Sequence, residues 1–152
     1  MNIFLVEDNP VKRDQLLAHL SSLNVQANVR TFSSYNSALQ GLEAATPDLL
    51  ILDMTLPTFD RSPGGREGRN RPLGGYEIMK KLERRHSGVK VIVVSQFESF
   101  GEGDEKVSFK QLMERCRLEF PDTFLAGIHF RVADAAWQPV LKDSVLRIVD
   151  GR

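Results

Sequence analysis

Pro47-Asp48-Leu49-Leu50-Ile51-Leu52-Asp53-Met54-Thr55-Leu56-Pro57 is the stretch that decides the fold. Four consecutive apolar residues end on a carboxylate. A short run that is apolar at every position, rather than every second one, marks a strand buried on both faces, as in a parallel sheet covered by helices. Thr46-Pro47 ahead of it closes a helical pattern, because proline and the residue before it resist helical geometry.

Two similar runs lie on either side. Ile3-Phe4-Leu5-Val6 reads as a first strand and runs directly into Glu7-Asp8. Residues 89–94 carry the clearest β signal in the chain, and residues 27–32 and 124–130 read as two further strands. Helical patterns fill the intervals. One opens at Pro10 behind Asn9, with Val11, Leu16, Leu17, Leu20 and Leu23 on one face. A second starts from Ser33 or Ser34 and carries Ala38, Leu39 and Leu42 inward. Residues 75–85 form a third, with Ile78, Met79 and Leu82 inward. Residues 107–120 form a fourth, with Leu112, Met113, Cys116 and Phe120 on one side. The last begins near Pro139 and runs through Val145, Leu146 and Val149.

Strands alternating with helices imply right-handed crossovers and helices on both faces of one sheet. Five such units predict an α/β, doubly wound, flavodoxin-like five-stranded parallel sheet with strand order 2-1-3-4-5. A single domain is expected over residues 1–152, with additions at about 58–74 and 97–106. Both additions follow the C-terminal ends of strands, the edge where such sheets bind ligands.

Composition excludes several classes. Lys+Arg and Asp+Glu both number 20, so no overall field draws the chain to nucleic acid or to an anionic membrane. A lone cysteine, Cys116, rules out an internal disulfide. The N-terminus turns acidic too early for a signal peptide, and no apolar run is long enough to cross a bilayer. The expected location is cytoplasmic. Residues 64–69 are glycine-rich but lack the Gly-Lys-Ser/Thr of a phosphate loop. His19, His86 and His129 lack zinc-ligand spacing. Arg61, Arg66, Arg69 and Arg71 have three roles open to them, folding over the ligand edge, docking an acidic partner or, as expected here, solvating the first addition.

Glu7, Asp8 and Asp53 all stand at strand ends. In the expected order the first and third strands are neighbours, so the three carboxylates converge on the ligand edge. Like charges held together need a cation, and a set of hard oxygen ligands suits Mg²⁺.

At this point the chain resembles the response-regulator receiver family, the CheY-like fold. Phe4-Leu5-Val6-Glu7-Asp8-Asn9, residues 47–57, Gly74-Gly75-Tyr76-Glu77-Ile78 and Val91-Ile92-Val93-Val94-Ser95 carry the resemblance in order. It implies that Asp53 is a phosphoacceptor, and that Glu7, Asp8, Asp53 and the backbone carbonyl of Thr55 bind Mg²⁺. It further implies that Ser95 contacts the phosphoryl group and that Pro57 shapes the loop after the acceptor. The implied donor is a histidine kinase or histidine phosphotransfer protein, and the implied output is contact with a downstream protein effector, with a homodimer left open. The chain would be a regulatory phosphoacceptor, catalysing only its own phosphoryl transfer and dephosphorylation, without membrane or direct nucleic-acid binding.

The chain departs from the family pattern in several places. Arg131 falls where the family has a lysine, and Val132 where it has a proline. The aromatic switch position falls on Ile128, with His129 and Phe130 beside it, and Gln96 replaces a small residue after Ser95. These departures motivate an alternative, a pseudo-receiver that binds partners independently of phosphorylation. A third class, a Mg²⁺-dependent phosphohydrolase or nucleic-acid enzyme, lacks a second catalytic acid beside Asp53.

Overall fold

Buried apolar strands and amphipathic helices alternate along the chain, as the hydrophobic pattern requires. The computed structural model describes residues 1–61 and 69–151. Its elements run β1 (Asn2–Val6), α1 (Pro10–Ser22), β2 (Asn28–Phe32), α2 (Tyr35–Ala44), β3 (Leu49–Leu52), β4 (Leu56–Pro57), β5 (Asn70–Arg71) and α3 (Gly74–Arg84). They continue with β6 (Lys90–Ser95), β7 (Ser99–Phe100), β8 (Val107–Ser108), α4 (Phe109–Glu119), β9 (Phe124–His129) and α5 (Trp137–Asp150).

The main sheet is parallel, in the order β2-β1-β3-β6-β9. These are the first to fifth strands of the sequence reading, in the order expected. Side chains alternate across the sheet. Phe4, Val6, Leu50, Leu52, Val91 and Val93 pack with Ala38, Ile78, Met79, Leu112 and Cys116, that is, against α2, α3 and α4. Ile3, Leu5, Leu49, Ile51, Ile92, Val94 and Ile128 pack with Leu16, Leu20, Trp137 and Leu141 of α1 and α5. Burial of both faces explains why β1, β3 and β6 each carry four consecutive apolar residues.

Several boundaries shift for identifiable reasons. Residues 107–108 do not begin a helix. They pair antiparallel with β7, and Ser108 caps α4 through a reciprocal bond with Gln111. Ser34, not Ser33, caps α2. In α1 the expected inward face holds at Leu16 and Leu20, with Leu17 and Leu23 packed beside them, and fails at Val11. Val11 is 54% exposed, whereas Lys12 is 2% exposed and continues the buried row of Leu16 and Leu20.

The stretches at 58–74 and 97–106 are tied by short antiparallel pairs, β4 with β5 and β7 with β8. Residues 62–68, including Arg66 and most of the glycine-rich stretch, lie outside the described residues. Among the described arginines, Arg61 meets Asp8 at 3.3 Å, and Arg71 pairs with Glu77 at 3.2 Å and covers the ring of Tyr35. Arg69 accepts bonds at its carbonyl from the Thr58 amide and hydroxyl. No helix among the described residues is long and apolar enough to cross a membrane.

Candidate functional site

Strand alternation explains how the site is assembled. On β1, Ile3 and Leu5 face α1, so the next residue of that parity, Glu7, also points to that side. On β3, Leu49 and Ile51 place Asp53 in the same way. β1 and β3 are paired in register, Val6 opposite Leu52, and the Asp53 amide donates to the Val6 carbonyl at 3.1 Å. Glu7, Asp8 and Asp53 each offer a carboxylate oxygen, and these oxygens all lie within 4.8 Å of one another. Glu7 and Asp53 are buried, while Asp8 opens to the surface.

Electrostatics at this cluster are strained in the absence of a metal. Burial, reinforced by the neighbouring Asp53 charge, pushes the Glu7 carboxyl up to about 7, against the opposing pull of Lys12. Burial also raises Asp53, opposed by Lys12 and by the Met54 amide, which donates to Asp53 Oδ1 at 2.8 Å. Asp8 is raised by burial and by Glu7, with Arg61 acting against both.

Lys12 was not among the residues singled out from the sequence. Its Nζ lies 2.5 Å from Glu7 Oε1 and 3.4 Å from Asp53 Oδ1. It donates to the Val94 carbonyl at 2.7 Å and to Gln96 Oε1 at 2.9 Å. The contact with Glu7 Oε1 is a buried ion pair. One signal in the sequence pointed to Lys12: it stands four and eight residues before Leu16 and Leu20, on the core row of the helix.

The other expected residues divide. Ser95 ends β6, is fully buried, and accepts from the Phe97 amide at 3.2 Å. The Thr55 hydroxyl donates to the Pro72 carbonyl at 3.0 Å, so its side chain ties the loop after Asp53 to the start of α3. Pro57 lies in β4, paired with Asn70. Arg131 is not brought into the cluster. Its side chain is 62% exposed and 3.8 Å from Glu98. A register irregularity lies between β6 and β9 at Val91/Ile92, beyond which Val94 pairs Ile128 and Ser95 pairs His129. Ile128 and Phe130 then face α1 and α5, while His129 meets Phe109 of α4, ring centroids 5.5 Å apart.

The residues present fit Mg²⁺. Three hard carboxylate oxygens lie within 4.8 Å of one another, the kind of donor set that a small divalent cation takes. Such a cluster can neutralise a divalent cation and hold a tetrahedral anion over Asp53, with Ser95 at the edge.

Comparison with known proteins points the same way. Residues 3–109 match the family model of the response regulator receiver domain. An uncharacterized protein, y4jR of Sinorhizobium fredii, is 32% identical over 97% of this chain and 99% of its own. The Detocs response regulatory protein DtcB of Enterobacter cloacae is 23% identical, over 91% of this chain and 93% of its own. Among solved structures, the response regulator protein TrrA of Thermotoga maritima in complex with Mg²⁺-BeF aligns with a TM-score of 0.61 at 18% identity, covering 97% of each chain. The signal receiver domain of a Luxo repressor protein from Vibrio parahaemolyticus aligns with a TM-score of 0.64 at 17% identity, covering 98% of this chain and 89% of that one.

Proposed function

The chain belongs to the response regulator receiver domain family, and on that premise we propose that it is a switch that takes a phosphoryl group onto Asp53. The observation that carries this reading is the convergence of Glu7, Asp8 and Asp53 within 4.8 Å at the ends of two paired strands. Glu7, Asp8, Asp53 and the main-chain carbonyl of Thr55 would hold Mg²⁺. When bound, the ion supplies charge neutralisation for an incoming phosphoryl group.

The chemistry asks little of the protein beyond position and charge. A carboxylate oxygen of Asp53 attacks the phosphorus of a phosphohistidine on a histidine kinase or phosphotransfer protein. The new O–P bond forms as the donor P–N bond breaks, and the bonding pair returns to the imidazole, which takes up a proton. With acetyl phosphate the O–P bond to acetate breaks instead, and acetate leaves as the anion. Asp53 is held for this attack by the Met54 amide on Oδ1. The Ser95 hydroxyl donates to the new phosphoryl oxygens, which bring negative charge and strong acceptors.

Output is by protein contact with a downstream effector, and a homodimer is compatible with this. The likeness to a protein named as a response regulatory protein supports a regulatory role. We read residues 1–152 as one receiver domain in the cytoplasm, with additions at about 58–74 and 97–106. The test is intact-mass measurement of the full chain after incubation with Mg²⁺ and acetyl phosphate. A phosphoryl adduct is expected in the wild type and not in Asp53→Asn. No adduct in the wild type overturns the reading.

A second reading is favoured by one observation, the outward position of Arg131. It is an interaction module independent of phosphorylation. Unchanged partner binding in Asp53→Asn would support it, and loss of binding would exclude it.

A further inference from the structure

The position from which the family supplies its cation delivers Arg131 to solvent, and Lys12 stands in the site instead. Resting on the phosphoacceptor reading above, we propose that Lys12 is the phosphoryl-contacting cation of this receiver, and that it exchanges Gln96 for a phosphoryl oxygen when Asp53 is phosphorylated.

The placement of Lys12 is hard to explain by stability alone. It lies in the first turn of α1, where the Asn9 side chain accepts from the Val11 and Lys12 amides. A cation there opposes the helix dipole, and full burial removes its hydration. What compensates is the strand-end carboxylates, with Nζ at 2.5 Å from Glu7 and 3.4 Å from Asp53. The ammonium therefore stands beside the carboxylate that would receive the phosphoryl group. The Phe130 ring lies on its other side, 5.8 Å from Nζ to the centroid.

Its remaining bonds lead away from the acceptor. Nζ donates to Gln96 Oε1 at 2.9 Å, and the Gln96 carbonyl lies 3.3 Å from His129 Nε2. His129 in turn packs on Phe109, the first residue of α4. An ammonium has three protons to donate. A phosphoryl oxygen is a stronger acceptor than a neutral amide, so the bond to Gln96 is the one to be given up. Release of Gln96 frees the segment between β6 and β7 that also contacts His129. Lys12 thus both neutralises the new charge and links the acceptor to the α4 surface.

The test uses the full chain with Mg²⁺ and either acetyl phosphate or fluoroberyllate. Lys12→Met keeps the volume of the buried stem and removes the charge. It should lose at least about tenfold in the rate of Asp53 phosphorylation, the scale of one lost transition-state donor, while Arg131→Ala stays within about twofold. Lys12→Met should still bind Mg²⁺, and more tightly than the wild type, because a competing cation is gone. That binding also reports a folded site. A readout needing no substitution is the Lys12 ε-methylene NMR signal of the wild type, which should shift when fluoroberyllate binds. A wild-type rate in Lys12→Met, a tenfold loss in Arg131→Ala, or an unmoved Lys12 signal in fluoroberyllate-bound protein would each overturn the assignment. If the wild type takes no phosphoryl group, the phosphoacceptor reading fails. If the wild type is phosphorylated and Lys12→Met keeps pace, only the lysine assignment fails.

Discussion

Gly75 packs so tightly on Asp53 that a Cβ added to Gly75 would stand 2.5 Å from the Asp53 carbonyl oxygen. The contact is with backbone, and the Gly75 amide donates to the neighbouring Met54 carbonyl at 2.9 Å. Helix α3 is thereby seated against the loop that carries Asp53. Gly75→Ala should force these backbones apart at a cost of about 1–3 kcal/mol, the usual scale for overpacking. The expected result is a lower urea midpoint with an unchanged slope, together with slower Asp53 phosphorylation because the carboxylate is displaced.

Asp53 is raised mainly by burial, so its charged form weighs on the metal-free fold. For an acid with a raised folded-state pKa, the penalty is present at high pH and vanishes as pH falls. Asp53→Asn keeps the shape and removes the charge. At pH 8 without Mg²⁺ it should stabilise the chain by on the order of 1 kcal/mol, a few degrees of melting temperature. Added Mg²⁺ should stabilise the wild type more than the variant, measured by thermal melts with and without the ion.

Glu7 titrates near 7 because it is buried beside Asp53. Its proton is held more tightly in the folded chain than in the unfolded one. Its contribution to metal-free stability is therefore full below about 4.5 and is lost as pH rises through about 7. Metal binding has the opposite sense, since a ligand carboxylate must be deprotonated. Mg²⁺ affinity should climb with pH up to about 7, by as much as about tenfold per unit below that value, and then level off. Calorimetric titrations between pH 5.5 and 8 would check this, and Glu7→Gln should flatten the dependence.

Burial, with a smaller push from Glu119, raises the Cys116 thiol to about 12, against the opposing effect of Arg115. The thiol sits in the core beneath α4. Reactivity follows the thiolate and its access. A disulfide reagent such as DTNB should leave the native chain unmodified at pH 8 and label it once unfolded, giving a convenient probe of global opening.

Much of the fold was legible because burial on both faces leaves a direct mark in one dimension. The runs 3–6 and 49–52 are apolar throughout, 89–94 is apolar but for Lys90, and all three became the central strands. Caps were legible where chemistry is local, as at Asn9 and Ser34. The facing of the fifth strand was not legible. A register irregularity at Val91/Ile92 decides which of Ile128, His129 and Phe130 faces α4, and no residue pattern announces it. The β4–β5 and β7–β8 pairs were equally hidden, because each is two residues long and is formed by pairing across a loop.

The site divides along the same line. Sequence by itself determined the carboxylates, since Glu7, Asp8 and Asp53 are tied to strand ends and parallel strands in this order align their ends. The tertiary structure alone decided the cation. Arg131 follows the fifth strand, but its side chain is 62% exposed and lies 3.8 Å from Glu98. Lys12 comes from a helix that the sequence orients only through its apolar residues, and a lysine on the core row looks like an exception until its partners are known. Those partners, Glu7, Asp53, Val94 and Gln96, come from three different strand ends. Which cation reaches a buried cluster depends on the direction of each side chain across the sheet, and that is set by packing and register rather than by order along the chain.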